Sequence, residues 1–195
     1  MNKMKSFALT ALVGMMALGT TAVSAQTSSD QGGFVQAKVG QAHWNGYGLS
    51  DNRLGYGVSG GYRFEVAERQ SIGPELGYVN FGKPRTSDGM GNAASVKGEA
   101  YTLGVNYRYR FDATPMSFQA RGGYARWHGH ASVTEAGFGT SSGSSNGNGW
   151  YAGVGVGYDV TPRTSIVVAY DYERNKVFGE HVNTGTTTAG VEFRF

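Results

Sequence analysis

The chain has 195 residues, of which 32 are glycine, four are proline and none is cysteine, so disulfides and thiol chemistry are excluded. It carries a formal net charge of +3, but two of its lysines lie within the first five residues. The rest of the chain is close to neutral, which gives no support to nucleic-acid binding.

The first 25 residues have the features of a secretory signal peptide. Lys3 and Lys5 form a basic start, an apolar stretch covers residues 7–18, and Val23-Ser24-Ala25 is an A-x-A-like cleavage site. The apolar stretch is shorter than the roughly 20 residues that a transmembrane helix needs. We therefore expect residues 1–25 to be removed and residues 26–195 to form one domain.

Eight segments of the remaining chain alternate between apolar and polar residues, which is the pattern of a strand with two unlike faces. They cover residues 33–42, 54–64, 72–81, 99–111, 117–127, 149–160, 165–173 and 184–195. Each is about long enough to cross a membrane as a tilted strand, and an even number is typical of bacterial membrane barrels. The pattern predicts an all-β fold, an eight-stranded antiparallel up-and-down transmembrane β-barrel.

The connections between these segments are alternately short and long. Short turns are expected at 65–70, 112–115 and 161–164, and long loops at 43–53, 82–98, 128–148 and 174–183. Residues 137–149 are rich in Gly, Ser and Asn, which predicts a mobile loop tip. Outer-membrane barrels have short periplasmic turns and long external loops, so both termini are expected in the periplasm.

The two faces of the predicted strands differ in size and charge. One face carries bulky residues such as Tyr56, Val58 and Val154, and the other carries glycine and charged residues. An eight-stranded barrel encloses little space, and an Arg or Lys facing mid-bilayer lipid costs about 2–4 kcal/mol. We therefore expect the bulky face to contact lipid and the small face to line the lumen, which disfavours a soluble lipocalin-like barrel.

The lumen-facing positions include ten charged residues that are expected to form an interior charge network. They are Lys38, Arg63, Glu75, Arg108, Arg121, Asp159, Asp171, Glu173, Glu192 and Arg194. Buried charges are tolerable when they are paired, so we interpret this network as a polar plug. A gated ion or proton path remains the alternative.

Four short sequences, GFVQAKVG (33–40), GVSGGYRF (57–64), GPELGY (73–78) and VEFRF (191–195), carry a resemblance. The chain resembles the small eight-stranded outer-membrane barrels typified by the OmpA transmembrane domain, OmpX and Ail. The resemblance implies an outer-membrane location and interior charges at Lys38, Glu75 and Arg121. Such families serve as envelope structural proteins, adhesins or complement-resistance factors.

Two further sets of residues suggest partners. Val191, Phe193 and Phe195 resemble the C-terminal signature of outer-membrane barrels, which implies recognition by the barrel assembly machinery. Lys83, Arg85 and Lys97 make the second long connection basic, and cations of this kind pair with lipopolysaccharide phosphates.

The four histidines fall in or beside the expected external loops. His128 and His130 could contribute to a Zn²⁺ or Cu²⁺ site, with Glu135 and Glu180 as further candidates, but solvated histidines and no bound metal or cofactor are expected. His130-Ala-Ser132 resembles the His-x-Ser motif of the lipid A deacylase barrel. Its context differs, and we expect no enzyme.

These features predict a monomeric outer-membrane surface barrel that contacts lipid and lipopolysaccharide and presents four external loops. The loops would serve adhesion, serum resistance or lipopolysaccharide contact, with a host surface ligand among the expected partners. A narrow ion-conducting pore and a lipid A-modifying enzyme are the alternatives.

Overall fold

The computed structural model describes residues 31–46, 49–82, 85–87, 93–135, 139–177 and 180–195. The expected signal peptide, residues 1–25, lies outside the described residues. The described residues contain no helix that is long and apolar enough to cross a membrane.

Within the described residues the chain forms nine strands, each antiparallel to its neighbours. They are β1 (Gly32–Gly46), β2 (Leu49–Ala67), β3 (Gln70–Asn80), β4 (Arg85–Ser87), β5 (Ala93–Arg110), β6 (Met116–Glu135), β7 (Gly139–Thr161), β8 (Thr164–Val177) and β9 (Glu180–Arg194). β1 pairs with β9 and β3 pairs with β5, so eight strands close into a ring, and β4 pairs only with the start of β5. The predicted eight-stranded up-and-down barrel is confirmed.

The seam of the barrel joins the first strand to the last. Phe34 lies opposite Arg194 in the β1–β9 register. Beyond this pair, the Phe195 N–H donates to the Gly33 carbonyl at 3.0 Å, and the Gly33 N–H donates to the Phe195 carbonyl at 3.0 Å. Closure leaves no unpaired backbone edge inside the membrane, where such an edge would have no water to bind.

The two faces of the wall are arranged as the alternation predicts. Leu54 and Leu76 are each 64% exposed on the outer surface, whereas Arg63 and Glu75 on the same strands are 1% exposed. The outer surface is apolar because it faces lipid. The inner surface can hold charge because its groups can reach one another across a narrow space.

Three of the connections are tight turns at the expected positions. Residues 68–69 join β2 to β3, residues 111–115 join β5 to β6, and residues 162–163 join β7 to β8. Arg69 and Ala113 take positive φ values of 64° and 53° in the first two of these turns. We expect this end of the barrel to be the periplasmic end, since outer-membrane barrels keep their short turns there, and the two ends are named accordingly below.

At the opposite, external end the strands are longer than expected, and the prediction of a loop tip at 137–149 is wrong for residues 139–149, while residues 137–138 lie outside the described residues. β6 continues to Glu135 and β7 begins at Gly139, so most of this segment is paired strand. The expected loops 43–53, 128–148 and 174–183 are likewise largely strand. Outside the membrane both faces of a strand meet water, so no alternation of apolar and polar residues marks it.

Candidate functional site

Glu192 on β9 organises the periplasmic half of the lumen. Its carboxylate accepts two hydrogen bonds from the Arg63 guanidinium, with N–O distances of 3.0 and 2.8 Å. Arg108 and Gln119 donate to the same carboxylate at 3.3 and 3.0 Å. These partners lie on β2, β5 and β6, so one buried side chain connects four strands.

Asp159 on β7 extends this cluster toward the periplasm. The Arg108 Nη2 lies 2.7 and 3.0 Å from its two carboxylate oxygens. Arg194 donates to Asp159 at 3.2 Å, and Ser165 donates at 2.5 Å. Arg108 therefore bridges Asp159 and Glu192, and its side chain is fully buried between them.

Asp171 on β8 organises a second cluster at the centre of the lumen. The Lys38 Nζ donates to Asp171 at 3.0 Å, and the Arg121 Nε donates at 2.7 Å, with a further bond from Arg121 Nη2. Arg121 also lies 3.8 Å from Glu75. The two clusters are linked by Asn106, which accepts from Arg63 at 2.8 Å and donates to Glu75 at 2.8 Å.

Glu173 differs from the other nine predicted network residues. It is buried on β8 one inward position beyond Asp171, and among the described residues it forms no ion pair and its Oε2 accepts no hydrogen bond. It lines a cavity of about 10 Å³ together with Lys38, Glu75 and Tyr151. This space is about the size of one water molecule.

The ion pairs that fill the lumen match one particular strand register. The Lys38–Asp171 and Arg63–Glu192 pairs join residues 133 and 129 positions apart. Transferring a charge from water into a protein interior costs several kcal/mol, which is offset only when the partner and its hydrogen bonds are in place. A shift of one strand by one residue would separate these partners and turn charged groups toward lipid.

An apolar layer covers the charge network at the external end, and the sequence reasoning missed it. Its buried side chains are those of Ala42, Val79, Phe81, Ala100 and Trp127. The signal was available, because Trp127 follows Arg121 by six residues on one strand and so shares its inward face. Steady ion conduction would require both this layer and the ion pairs to rearrange.

A band of aromatic rings marks the external edge of the lipid-facing surface. Tyr78 lies 5.3 Å from Tyr101, and Trp150 lies 5.6 Å from Tyr172, measured between ring centroids. The Tyr101 ring also meets the edge of His128 at 5.7 Å. Such belts sit at the level of the lipid headgroups.

Only one residue of the expected lipopolysaccharide contact has a described side chain. Lys83 lies outside the described residues, and nothing is described of the Arg85 side chain. Lys97 is 3.2 Å from the Glu99 carboxylate, and this hydrogen bond raises the pKa of the exposed ammonium group. The described side chains contain no cluster of three histidines, cysteines or carboxylates suited to a metal ion, although the side chain of His130 is not among them.

Beyond the aromatic band, β4 to β7 continue as a sheet, here called the external sheet, which comprises residues 85–87, 93–98, 128–135 and 139–147. β7 pairs with β6 along this whole length, but its pairing with β8 begins only at Asn148, opposite Lys176. Among the described residues, no strand pairs with the other edge of residues 139–147. Within the described part of the chain, the barrel thus has an open strand edge outside the membrane.

Comparison with solved structures finds similar barrels at low sequence identity. Ail, the attachment invasion locus protein of Yersinia pestis, in complex with the heparin analogue sucrose octasulfate, is 17% identical with a TM-score of 0.59, and the match covers 86% of this chain and 100% of Ail. Neisserial surface protein A is 24% identical with a TM-score of 0.52, covering 84% of this chain and 97% of that one. The N-terminal β-barrel domain of Pseudomonas aeruginosa OprF is 16% identical with a TM-score of 0.52, covering 85% and 99%. At these identities the likeness concerns the fold.

No curated protein sequence matches the chain. A family profile described as "Outer membrane protein beta-barrel domain" matches residues 10–195, which is nearly the whole chain. The closed ring, the lipid-facing apolar wall and the charged lumen agree with that match. The chain belongs to the outer-membrane protein β-barrel family and is a surface barrel of the bacterial outer membrane.

Proposed function

We propose that this barrel is an adhesin-type surface protein that binds an extended segment of a partner polypeptide along the open edge of β7. The observation that carries the proposal is that the described strands pair with residues 139–147 on one side only. Unpaired N–H and C=O groups in a row form a template for another strand.

The position of this edge favours contact with other molecules. β6 and β7 contain 20 and 23 residues, whereas about 9–11 residues suffice to cross the membrane. At a rise of about 3.3 Å per residue, the ten residues after Ala125 extend β6 by roughly 20–30 Å. The edge is therefore held well beyond the lipid surface by a sheet that continues the barrel wall.

The side chains along the edge leave the backbone accessible. Residues 139–147 read GTSSGSSNG, with no charge and no proline. Ser141, Ser142 and Ser144 are exposed. Exposed edges are commonly protected by lysine, proline or a bulge, and this edge carries neither of the first two. Binding through the backbone would place few demands on the partner's sequence.

Shortening the β6–β7 hairpin tests the proposal. Gly129 and Ser145 are paired, so residues 130–144 can be replaced by Asn-Gly, a two-residue turn that keeps their register. A matched control replaces residues 176–181 by Asn-Gly between the paired Asn175 and Val182 of the β8–β9 hairpin. Both variants should still form heat-modifiable barrels on detergent gels.

We expect bacteria that display the β6–β7 variant to lose adhesion to epithelial cells and matrix proteins by more than tenfold, and the β8–β9 variant to retain it. Serum survival would be measured on the same strains. Unchanged adhesion of the β6–β7 variant at equal surface expression would contradict the proposal.

A single introduced cysteine identifies the occupant of the edge, because the chain has no cysteine of its own. Ser144→Cys should cross-link to a partner polypeptide, whereas Glu68→Cys in a periplasmic turn should not. Cross-linking of Ser144→Cys only to a second copy of the chain would contradict both the proposed adhesion and the expected monomer.

A further inference from the structure

Two arginines on the outer wall of the barrel have no partner among the described residues. Arg126 on β6 and Arg174 on β8 are both exposed, and neither makes a hydrogen bond or ion pair with the described residues. Lys97, another exposed cation of this region, is already paired with Glu99. Two guanidinium groups that lie at the edge of an apolar wall and have no described protein partner require a different explanation from the paired arginines of the lumen.

The register places both arginines beside β7. Arg126 lies opposite Asn148, and Arg174 lies opposite Trp150, two residues further along β7 on the same face. Adjacent strands are about 4.8 Å apart, so the two backbones are separated by roughly 10 Å across β7. Both long side chains can reach a single ligand of disaccharide size.

Aromatic residues surround the two arginines. Tyr101 is opposite Arg126 on β5, Tyr124 precedes it on the same face, and Trp150 packs beside Tyr172. Tyr124 and Trp150 are nearly half exposed on the lipid-facing side. The arginines therefore lie at the headgroup level of the external leaflet, where apolar chains end and charged groups begin.

We propose that Arg126, Arg174 and Trp150 bind the phosphorylated headgroup of lipid A, the membrane anchor of lipopolysaccharide. The guanidinium groups would each pair with a phosphate, a geometry that allows two parallel hydrogen bonds, while Trp150 and Tyr101 contact the sugar rings and the start of the acyl chains. Two features favour lipid A over a phospholipid as the occupant. The site is at the external end of the barrel, and the arginines are on separate strands whose spacing of roughly 10 Å suits a disaccharide headgroup. This site is independent of the open β7 edge.

Lipid A binding by the full-length mature protein tests the assignment. The purified barrel in detergent would be titrated with bisphosphorylated lipid A and analysed by native mass spectrometry. The variants are Arg126→Gln, Arg174→Gln and the double variant. Arg163→Gln is the matched control, since it removes an exposed arginine from a periplasmic turn.

We expect each single variant to weaken binding about tenfold and the double variant more, because charge-assisted hydrogen bonds are lost. Arg163→Gln should bind as the original protein does. Removing one phosphate from the ligand should have the same effect as removing one arginine from the protein. The original protein should therefore bind monophosphorylated lipid A about as weakly as a single variant binds bisphosphorylated lipid A.

Three results would overturn the proposal. The first is equal binding by the double variant and the Arg163→Gln control. The second is equal binding of bisphosphorylated lipid A and a fully dephosphorylated form to the original protein. The third is binding of phosphatidylglycerol as tight as that of lipid A, which would assign the arginines to any anionic lipid.

Discussion

β7 runs through both the membrane wall and the external sheet, and its two parts differ in sequence and in pairing. Residues 150–160 alternate between outward bulky side chains such as Val154 and inward glycines, and they pair with β6 and β8. Residues 139–147 show no alternation, and of the described strands only β6 pairs with them. The wall meets lipid on one side and a packed lumen on the other, whereas the external sheet meets water on both sides.

This difference separates two kinds of constraint. In the wall, backbone groups and buried charges need partners within the protein, since lipid supplies none. In the external sheet, water can satisfy an unpaired edge, so the edge is free to accept another strand. Substitutions should therefore have large effects on stability in the wall and small ones in the external sheet.

The largest loss of stability is expected from Glu192→Ala. The substitution leaves Arg63 and Arg108 buried without their shared carboxylate, which should lower the free energy of unfolding by about 3–5 kcal/mol. Glu68→Ala is the control, because Glu68 forms an exposed ion pair with Arg69 worth about 0–1 kcal/mol. Urea titration in lipid vesicles measures both, and equal midpoints would contradict the importance of the network.

Trp127→Ala should have the next largest effect. Loss of this buried indole from the apolar layer should cost about 3 kcal/mol, at the low end for a large aromatic residue because water can enter the space from outside. The variant also tests the pore alternative. If the apolar layer blocks the lumen, planar-bilayer conductance should rise relative to the original protein, and Tyr124→Ala on the outer face should leave it unchanged.

A pair of glycines compares the wall and the external sheet directly. In the β2–β3 wall, a Cβ on Gly73 would collide with the backbone of Tyr62, whereas a Cβ on Gly143 in the external sheet has nothing within 4 Å. We expect Gly73→Ala to cost about 1–3 kcal/mol and Gly143→Ala to change stability by no more than about 0.5 kcal/mol. Unfolding in vesicles measures both, and similar values would show that the two regions are equally constrained.

Phe195→Ala should have the smallest effect on stability and a larger one on assembly. Phe195 is 70% exposed on the outer surface, and its seam hydrogen bonds use only the backbone. If its side chain is part of an assembly signal, the yield of folded barrel in cells should fall while refolding in vesicles is unaffected. Phe64→Ala, another exposed phenylalanine near the periplasmic end, is the control, and an equal fall in its yield would contradict the signal.

The sequence predicted the barrel because its alternation depends on local geometry. Side chains on a strand point to opposite faces with a period of two, and lipid and lumen demand opposite chemistry. The eight strands, the short turns and the inward position of residues such as Arg63 and Glu192 could therefore be derived from single segments. Arg126 lies in a predicted strand, but Arg174 lies in an expected loop, so the sequence did not predict that both arginines share the outer face of the wall.

Only the tertiary structure decided which charges pair and where the strands end. The Arg63–Glu192 contact joins positions 129 residues apart, and its geometry depends on how all eight strands are staggered around the ring. The extension of β7 back to Gly139 depends on its hydrogen bonds to β6, since its Gly- and Ser-rich sequence has little preference for a strand. Local sequence determined the faces of this barrel, while long-range pairing determined its interior contacts and its open external edge.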